Sequence, residues 1–583
     1  MVMRLGEMLI QKKLITSEQL KAALKEQQKI GEPIGETLIK MGYLTQEQLF
    51  PVLAEQLNLP FINLEDVAFD PEVIKRVPAK FAWYYKIIPL YYKDGKLTVA
   101  TFDPLRSLND AKMFLKDEVE PVLSTEKEIT KALEKNYGVG AETIERIMDQ
   151  APKETVEEEE GQFEKVEDLE RLAEDASVVK LVNQIILEAH QKRATDIHIE
   201  PYRGKMGLRY RIDGVLYEAN VPSDMVRLFP SIISRIKIMS KLNIVERRLP
   251  QDGRAVVKVG KEEFDLRISV IPTRFGEGIV IRILPTKMLF DLGKLGLEQE
   301  ELRILDGLIH QPHGIIFVTG PTGSGKTTTL YASLNKIKST RNKIITIEDP
   351  IEYELDGITQ IQVMPEIGFT FAQGLRSVLR HDPDIMMVGE VRDFETAELA
   401  IRIALTGHLI FSTLHTNDAA GGATRLLDIG IEPFLAASSI NAFIAQRLVR
   451  VICPKCKTED NSINPEVKKQ IVEEIKQYYR FCKNPLAHMQ KLAGIKESDI
   501  HFYRGEGCEE CNKTGFRSRT AIYEMLLVNK RIKELMLAKS SSDKIREEAI
   551  NQGMKTLRIS GWGKVIDGIT TPDEVMRVTQ VEE

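Results

Sequence analysis

The chain of 583 residues lacks any long uninterrupted apolar segment. A membrane-spanning helix needs ~18–20 consecutive apolar residues, so a helical integral membrane protein is excluded. The N-terminus, MVMRLGEMLIQKK, also lacks the continuous apolar stretch and small-residue cleavage site of a secretory signal. These absences predict a cytosolic protein whose contact with a membrane, if it has one, is peripheral and depends on a partner.

A strong excess of one charge is missing as well. The 80 Lys and Arg residues nearly balance the 86 Asp and Glu residues, and the formal net charge is −6. A broad basic footprint for nucleic acid is therefore not indicated, although a local basic groove is compatible with an acidic average. The chain is too long for one hydrophobic core and predicts three or four domains.

The N-terminal segment contains a repeat, because residues 4–27 align position by position with residues 33–56. Each copy predicts two short helices. The second helix of each copy begins after a threonine, Thr16 or Thr45, which is followed three residues later by a glutamine. Two copies are too few for a solenoid, so they predict one compact helical unit with internal pseudo-symmetry.

A small α/β part is predicted to follow the repeat. IIPLYY and KLTVATFDP have the composition of strands and are joined by a turn at Asp94 and Gly95. With this part, the first domain spans 1–145. Residues 146–175 include the acidic run ETVEEEEGQ and bury too little apolar surface to offset their ordering entropy, which predicts a linker with some helix at 166–173.

Two further domains are expected after the linker. Over 176–287, VVKLVNQIILEAHQK predicts an amphipathic helix, and MGLRYRI, VVKV, EFDLRISVI and GIVIRIL predict strands. The last domain spans 288–583, with a cysteine-bearing insertion at 453–511 and a helical end, TTPDEVMRVTQ. The predicted fold class is a multidomain α/β protein.

The segment IIFVTGPTGSGKTTTLYASL combines an apolar strand, a glycine-rich turn and a helical pattern. It contains G-x-x-x-x-G-K-T, and this order of strand, loop and helix is the context that a phosphate-binding loop requires. Backbone N–H groups surround phosphate oxygens, the helix N-terminus adds partial positive charge, Lys326 reaches the β- and γ-phosphates, and Thr327 offers a hydroxyl to Mg²⁺. The predicted nucleotide-binding residues are Gly320, Pro321, Thr322, Gly323, Ser324, Gly325, Lys326, Thr327 and Thr328.

Hydrolysis also requires a carboxylate that orients or deprotonates water. Two apolar runs downstream end in acids: IITIEDPIEYE, with Glu348, Asp349 and Glu352, and DIMMVGEVRD, with Glu390. Carboxyl ends of strands are where open α/β sheets bind ligands. Gly389 stands where many P-loop enzymes have Asp. A third run, TGHLIFSTLHTNDA, places His408 and His415 on either side of an apolar strand, where each could be structural or could sense the γ-phosphate.

These segments resemble the secretion and type IV pilus ATPase superfamily, whose Walker A loop, aspartate box, Gly-Glu Walker B and histidine box occur here in the same order. The resemblance implies a RecA-like ATPase domain preceded by a PAS-like α+β domain. It implies that Glu352 is the catalytic carboxylate and that Glu390 acts with Thr327 at Mg²⁺. It also implies that His415, with His408 as a second candidate, contacts the phosphate end.

The same resemblance implies a homohexameric ring that converts ATP hydrolysis into mechanical work. In this family, arginines from the domain before the ATPase domain complete a nucleotide site. The matching positions are Arg267 in FDLRISV and Arg282 in GIVIRIL, with Arg209 and Arg211 as further candidates. An arginine suits this role because its planar fork neutralises developing phosphate charge.

The cysteines are scarce, and four of the 5 form two C-x-x-C pairs. In a cytosolic chain this pattern indicates a metal more than disulfides, and a full Cys₄ shell predicts a structural Zn²⁺ site. The gap between the pairs is longer than in a compact zinc ribbon, so VKKQIVEEIKQYY is predicted to fill it with a helix. Cys482 is left over. The predicted ligands are Cys453, Cys456, Cys508 and Cys511.

The N-terminal repeat resembles the cyclic di-GMP-binding domain of some of these ATPases, with two departures: Lys13 replaces a usual Gly, and Pro33 replaces the second Arg. The resemblance implies regulation by cyclic di-GMP, and the alternative is a degenerate repeat that only docks a partner. The residues that the resemblance assigns to the ligand are Arg4, Leu5, Gly6, Leu9, Gln27, Ile34, Gly35, Leu38 and Gln56.

The function expected from these features is a hexameric ATPase that extends a type IV pilus at the inner membrane. Its expected partners are the membrane platform protein and other cytoplasmic components of the pilus machine, and not nucleic acid. The alternatives are the motor of type II secretion or of a mannose-sensitive pilus and, in another class, a nucleic-acid translocase. The acidic balance and the zinc element disfavour the translocase.

Overall fold

The computed structural model describes residues 3–30, 33–104, 118–138, 140, 141, 143, 175–222, 224–259, 262–285, 290–482 and 495–579. The chain divides into two compact units, Met1–Leu284 and Pro285–Glu583. Residues 146–174 of the expected linker, with the helix expected at 166–173, lie outside the described residues. Every helix within the described ranges is too short or too polar to cross a membrane.

The N-terminal repeat folds as two pairs of helices, as its sequence predicts. In each copy the backbone N–H of the threonine cap donates to the glutamine side chain three residues later, over 2.8 Å for Thr16 and 3.1 Å for Thr45. Gly6 and Gly35 let the two helices of each copy touch, because a Cβ at either position would lie 2.6 or 2.8 Å from a leucine of the second helix. The helices are Leu5–Gln11, Ser17–Ile30, Ile34–Lys40 and Gln46–Leu57.

The small α/β part that follows contains the predicted hairpin. Strands β1 (Ile87–Lys93) and β2 (Lys96–Thr101) are antiparallel, and β3 (Glu118–Leu123) pairs with β2 in parallel. Asp94 and Gly95 have φ angles of 53° and 80°, the left-handed values that a two-residue type I′ turn requires. The helices of this part are Pro71–Ile74, Ala79–Tyr85 and Glu126–Tyr137.

The second sheet of the first unit has six strands in the order β6-β5-β4-β9-β8-β7. Helices Ala176–Gln191 and Met225–Met239 supply the buried residues that pack on one face of it. Four strands and the first helix were predicted, whereas β4 and β6 were not. The strands are β4 (Ala194–Tyr202), β5 (Lys205–Ile212), β6 (Val215–Glu218), β7 (Gln251–Val259), β8 (Glu262–Thr273) and β9 (Gly276–Pro285).

The sheet of the second unit has seven strands in the order β12-β11-β13-β14-β10-β15-β18. The first six run parallel, and β18 is antiparallel to β15. Its central strands are continuous apolar runs because helices cover both faces of a parallel sheet. The strands are β10 (Gly314–Thr319), β11 (Ile344–Glu348), β12 (Thr359–Gln362), β13 (Ile385–Val388), β14 (Leu409–Leu414), β15 (Ile440–Ile452) and β18 (Phe516–Leu527).

The helices of the second unit surround this sheet, and the predicted helix between the cysteine pairs is confirmed as Pro465–Phe481. Short strands β16 (Lys457–Glu459) and β17 (Tyr503–Gly505) pair beside the cysteines. The remaining helices are Gln299–Ile309, Lys326–Ile337, Phe371–Val378, Phe394–Leu405, Ala419–Asp428, Pro433–Ser439, Lys530–Leu537, Ser542–Asn551, Leu557–Ile566 and Pro572–Thr579.

A buried carboxylate attaches the last helix to β15. Glu574 is 2% exposed and accepts hydrogen bonds from the backbone N–H and guanidinium of Arg450, over 3.1 and 2.7 Å, and from the guanidinium of Arg577. Burial alone would raise the pKa of Glu574, but these hydrogen bonds outweigh it and lower the pKa to about 2. The carboxylate is therefore more acidic in the folded chain than in the unfolded one.

We expect Glu574→Gln to destabilise this unit by about 3 kcal/mol near neutral pH, because two arginines lose their buried counter-charge. A depressed folded-state pKa contributes stability above pH ~4.5, and that contribution is lost as the pH falls towards 2. Unfolding followed in urea at several pH values checks both statements. Glu534→Gln, which removes an exposed i,i+3 partner of Arg531, is the control and should change stability by under ~0.5 kcal/mol. A loss that stayed the same from pH 7 to pH 3 would contradict the electrostatic account.

Candidate active site

The glycine-rich loop lies between β10 and the helix Lys326–Ile337, as predicted. Gly320 and Gly325 have φ angles of 147° and 88°. A Cβ at Gly320 would lie 2.7 Å from the Gln446 carbonyl oxygen, and one at Gly325 would lie 2.7 Å from the Gln446 side-chain nitrogen. The loop therefore packs against β15 in a form that only glycine allows. The Ser324 hydroxyl is buried without a hydrogen-bond partner among the described residues, which leaves a polar atom for a ligand.

Lys326 folds back over this loop. Its Nζ donates to the carbonyl oxygens of Gly320 and Pro321, over 2.8 and 3.0 Å. Burial lowers the pKa of the Lys326 ammonium to about 8, while the nearby Glu390 opposes this shift and Arg447 adds to it. The lysine thus lies at the mouth of the loop. Its charge interacts there with those of Glu390 and Arg447, which are more than 60 positions later in the sequence.

The Walker B acid and the second histidine lie at the same edge of the sheet as the loop. Glu390 follows β13, and its Oε2 lies 3.4 Å from His415 Nε2 and 2.7 Å from Arg392 Nε. His415 directly follows β14, which pairs in parallel with both β13 and β10. These strand directions bring Glu390, His415 and Lys326 together, although the roles that the sequence assigns to them remain predictions.

Close packing of two strands explains why residue 389 is a glycine. A Cβ at this position would lie 3.3 Å from the Ile347 carbonyl oxygen and 3.4 Å from Glu348 Cα, because β13 approaches β11 closely here. The Gly389 N–H also donates to the Ile347 carbonyl, over 2.8 Å. A larger residue would separate the two strands, which favours a Walker B motif that begins with glycine in this chain.

The acids after β11 separate into two kinds. Glu348 is 3% exposed, and its carboxylate accepts from the hydroxyls of Tyr331 and Thr346 and from the Gln360 side-chain amide. Such a carboxylate has its hydrogen-bonding capacity used within the fold. Glu352 is half-buried, and its backbone N–H lies at the Tyr331 hydroxyl on the helix that follows the phosphate-binding loop. The structure therefore assigns a packing role to Glu348, and the catalytic role of Glu352 remains a prediction.

The expectation that His408 is a second candidate at the phosphate end is wrong. His408 precedes β14, and its carbonyl accepts from the N–H of Gly314, the first residue of β10. Its Nδ1 lies 3.1 Å from the Ile403 carbonyl oxygen. With a rise of ~3.3 Å per residue, the strand separates His408 from the phosphate loop by roughly 16–20 Å. It is a structural residue at the opposite edge of the sheet.

Two residues of the site were not found from the sequence. Gln446 accepts from the Thr329 hydroxyl, over 2.7 Å, and contacts the loop glycines. Arg447 lies beneath Gly320 and donates to the Asn417 carbonyl oxygen, over 2.8 Å, so it joins the loop to the segment after His415. The signal available was a Gln-Arg pair inside the apolar run NAFIAQRLVRVI.

The predicted arginines lie in the first unit, on the face of its six-stranded sheet that the two helices leave open. Arg282 lies on β9 and Arg267 on β8, while Arg209 and Arg211 lie on β5. Asp196 of β4 is directly opposite both Arg282 and Arg211. Their contribution to a nucleotide site remains a prediction.

The four predicted cysteines come together in the second unit, with their sulfur atoms within 4.8 Å of one another. Two pairs of sulfur atoms are 3.8 Å apart and a third pair is 3.9 Å apart. A tetrahedral Zn²⁺ with ~2.3 Å bonds separates its sulfur ligands by roughly 3.8 Å, so the cluster fits this ion. Backbone N–H groups of Cys508 and Gly515 point at the Cys511 sulfur over 3.1 and 3.3 Å, as a thiolate requires. Cys482 is buried and outside the cluster.

The residues assigned to cyclic di-GMP differ in exposure. Leu9 and Leu38 are fully buried in the core of the repeat, and Gly6 and Gly35 are buried where its helices touch. Arg4 is exposed at the start of the first helix. Of the remaining assigned residues, Leu5, Gln27, Ile34 and Gln56 are half-buried.

Comparison with known proteins identifies families and relatives of this chain. A family described as "Type II/IV secretion system protein" matches residues 171–577, and one described as "MshEN domain" matches residues 57–143, so the repeat lies outside both matches. "Type IV pilus assembly ATPase PilB" of Myxococcus xanthus is 42% identical over 580 residues, which cover 98% of each chain. "Type II secretion system protein E" of Xanthomonas campestris pv. campestris is 41% identical over 90% of this chain and 89% of its own. The "Crystal Structure of the Pilus Retraction Motor PilT and Bound ADP" is 26% identical, covers 68% of this chain and 97% of its own, and has a TM-score of 0.45.

Proposed function

Because the chain belongs to the type II/IV secretion system protein family and is an ATPase, we propose that it powers pilin polymerisation in a type IV pilus. The supporting observation is the extent of similarity, since the pilus assembly relative matches 98% of this chain and the secretion relative matches 90%. The runner-up is the motor of type II secretion or of a mannose-sensitive pilus. In either case the protein acts in the cytoplasm, bound to the inner membrane through a platform protein and other cytoplasmic components of the machine.

Deletion of the gene in its own organism separates the two candidates. We expect surface pili, counted by electron microscopy, to disappear while secreted enzymes in the medium stay at the parental level. Retained pili together with lost secretion would instead show that the protein is the motor of type II secretion. Stimulation of its ATP turnover by DNA would instead support the alternative function of a nucleic-acid translocase.

The residues at this edge of the sheet have different roles in ATP hydrolysis. The loop N–H groups and Lys326 hold the triphosphate, and Thr327 and Glu390 would hold Mg²⁺, which when bound neutralises charge on the β- and γ-phosphates. Glu352 orients and deprotonates the attacking water, and His415 contacts the γ-phosphate from beside Glu390. In a homohexamer, Arg267 and Arg282 complete a site across a subunit boundary or on domain closure and neutralise the charge that develops during transfer.

The cysteine cluster holds a structural Zn²⁺ that supports a surface for the platform protein. We expect one zinc per chain by elemental analysis, and loss of that zinc in Cys511→Ser. Removal with a strong chelator should lower the unfolding temperature, because a full thiolate shell contributes folding free energy. Cys482→Ala, a buried thiol outside the cluster, is the matched control and should keep its zinc. Full zinc content in Cys511→Ser would contradict the assignment.

The N-terminal repeat binds cyclic di-GMP and regulates turnover by shifting populations. Arg4 and Pro33 have the same extended backbone, with ψ angles of 146° and 143°, so an arginine fits at both positions. We expect calorimetric titration to show binding that Arg4→Ala weakens at least several-fold and Pro33→Arg strengthens, with parallel changes in ATP turnover. If neither the parental chain nor Pro33→Arg bound cyclic di-GMP, the regulatory role would be contradicted and a docking role for the repeat would be favoured.

A further inference from the structure

The six-stranded sheet of the first unit carries a row of paired charges on its open face. Cross-strand pairing places Asp196 of β4 opposite Arg282 on one side and Arg211 on the other. Four residues further along β4 and on the same face, Glu200 forms an ion pair with Arg209. The same strand therefore holds two acid–arginine pairs on one face, and they can be compared directly.

The two pairs differ in which guanidinium nitrogen the acid holds. The Asp196 Oδ1 accepts from Arg282 Nε over 3.0 Å, and its Oδ2 accepts from the Thr195 hydroxyl over 2.8 Å. Glu200 instead accepts from a terminal nitrogen, Nη2, of Arg209. The terminal nitrogens of Arg282 have no partner among the described residues, and its side chain is 53% exposed.

This geometry points a complete fork outward. A guanidinium held at Nε keeps both terminal nitrogens available for a bidentate contact with phosphate oxygens. Asp196 is buried at 6% exposure, so its position is defined by the sheet and does not follow solvent. Arg211, whose Nε lies 3.8 Å from Asp196 Oδ2, adds a second positive charge beside the same carboxylate.

We infer that Asp196 is a positioning residue that holds the Arg282 guanidinium at Nε and so keeps its terminal nitrogens free for a bidentate contact with phosphate oxygens. This inference rests on the proposed role of Arg282 in hydrolysis. A buried ion pair by itself adds little net stability, whereas a pre-oriented arginine loses less rotational freedom when charge develops during transfer. Asp196 acts before substrate arrives and does not touch it.

A double-mutant cycle with steady-state ATP turnover tests this. We expect Asp196→Ala to lower kcat about tenfold while KM changes less than threefold, and to cause no further loss once Arg282→Ala is present. Asp196→Asn, which keeps an acceptor for Nε, should recover part of kcat. Glu200→Gln is the comparison, and its fold-change should be the same with and without Arg282 because it holds Arg209.

The outcomes separate the two levels of the claim. Full activity of Arg282→Ala would overturn the proposed role of Arg282, and the inference with it. An active-site role for Arg282 with an unchanged cost of Asp196→Ala in the Arg282→Ala background would overturn the inference alone. A lowered unfolding temperature for Asp196→Asn with kcat at the parental level would mark Asp196 as structural and would also overturn it.

Discussion

Lys326→Ala is expected to reduce ATP turnover at least ~100-fold, equivalent to about 3 kcal/mol of lost transition-state stabilisation. The lysine ammonium lies at the mouth of the phosphate-binding loop and has the loop carbonyls of Gly320 and Pro321 as its hydrogen-bond partners. These oxygens are weak partners for a charge that is partly buried, and burial lowers the pKa of the ammonium to about 8. Triphosphate oxygens are a much better counter-charge, so the lysine binds the substrate at little cost in existing contacts.

Two further variants make this measurement decisive. Lys336→Ala removes an exposed lysine from the last turn of the same helix and should leave turnover unchanged. Lys326→Arg keeps the positive charge but replaces the compact ammonium with a larger, planar guanidinium. Because the loop is closely packed, this variant should have only part of the parental activity. Unfolding temperatures of all three variants exclude a folding defect. If Lys326→Ala consumed ATP at the parental rate, the triphosphate would not bind in this loop.

Local sequence order predicted the centre of this site. The glycines, Lys326 and the flanking apolar runs are neighbours in the chain, so the strand, loop and helix could be assigned without tertiary information. The error over His408 was avoidable on the same grounds. It precedes its strand, whereas His415 follows it, and only the carboxyl end of a strand parallel to β10 lies beside the loop.

The parts that could not be predicted depend on long-range contacts. Glu348 and Glu352 are close in sequence, and only the hydrogen bonds from Tyr331 and Gln360 show that Glu348 is committed to the fold. Strand β4 was missed because only Ile197 and Ile199 mark its inward face within a segment of mixed composition.

The two neighbours of the loop on β15 were missed for a related reason. Gln446 and Arg447 lie in an apolar run with no motif around them. Their contacts are with Thr329, more than a hundred positions earlier, and with Asn417 in the segment after His415. A polar pair inside a buried strand is a usable sign that something polar lies beside it, but it does not say what. Periodicity finds elements, whereas tertiary pairing decides which charged residue meets which partner.

Glu352→Gln is expected to lower kcat by roughly 100- to 1,000-fold while ATP affinity stays within about threefold of the parental value. The substitution keeps the size and polarity of the side chain and removes only the capacity to take a proton from water. Glu352 is half-buried, so a side chain of the same size should keep its place and its packing. Affinity for ATP is measured by equilibrium binding, and kcat by phosphate release.

Two neighbouring acids serve as matched controls for this substitution. Glu354→Gln changes an exposed residue of the same loop and should leave kcat unchanged. Glu348→Gln should instead lower the unfolding temperature, because one amide cannot accept from the hydroxyls of Tyr331 and Thr346 as the carboxylate does. Glu390→Gln should weaken the Mg²⁺ dependence of turnover, which distinguishes a metal-associated acid from a base. The proposed role of Glu352 is to act on water alone. Proton transfer would be assigned to Glu390 if Glu352→Gln released phosphate at the parental rate and Glu390→Gln lost most of its activity.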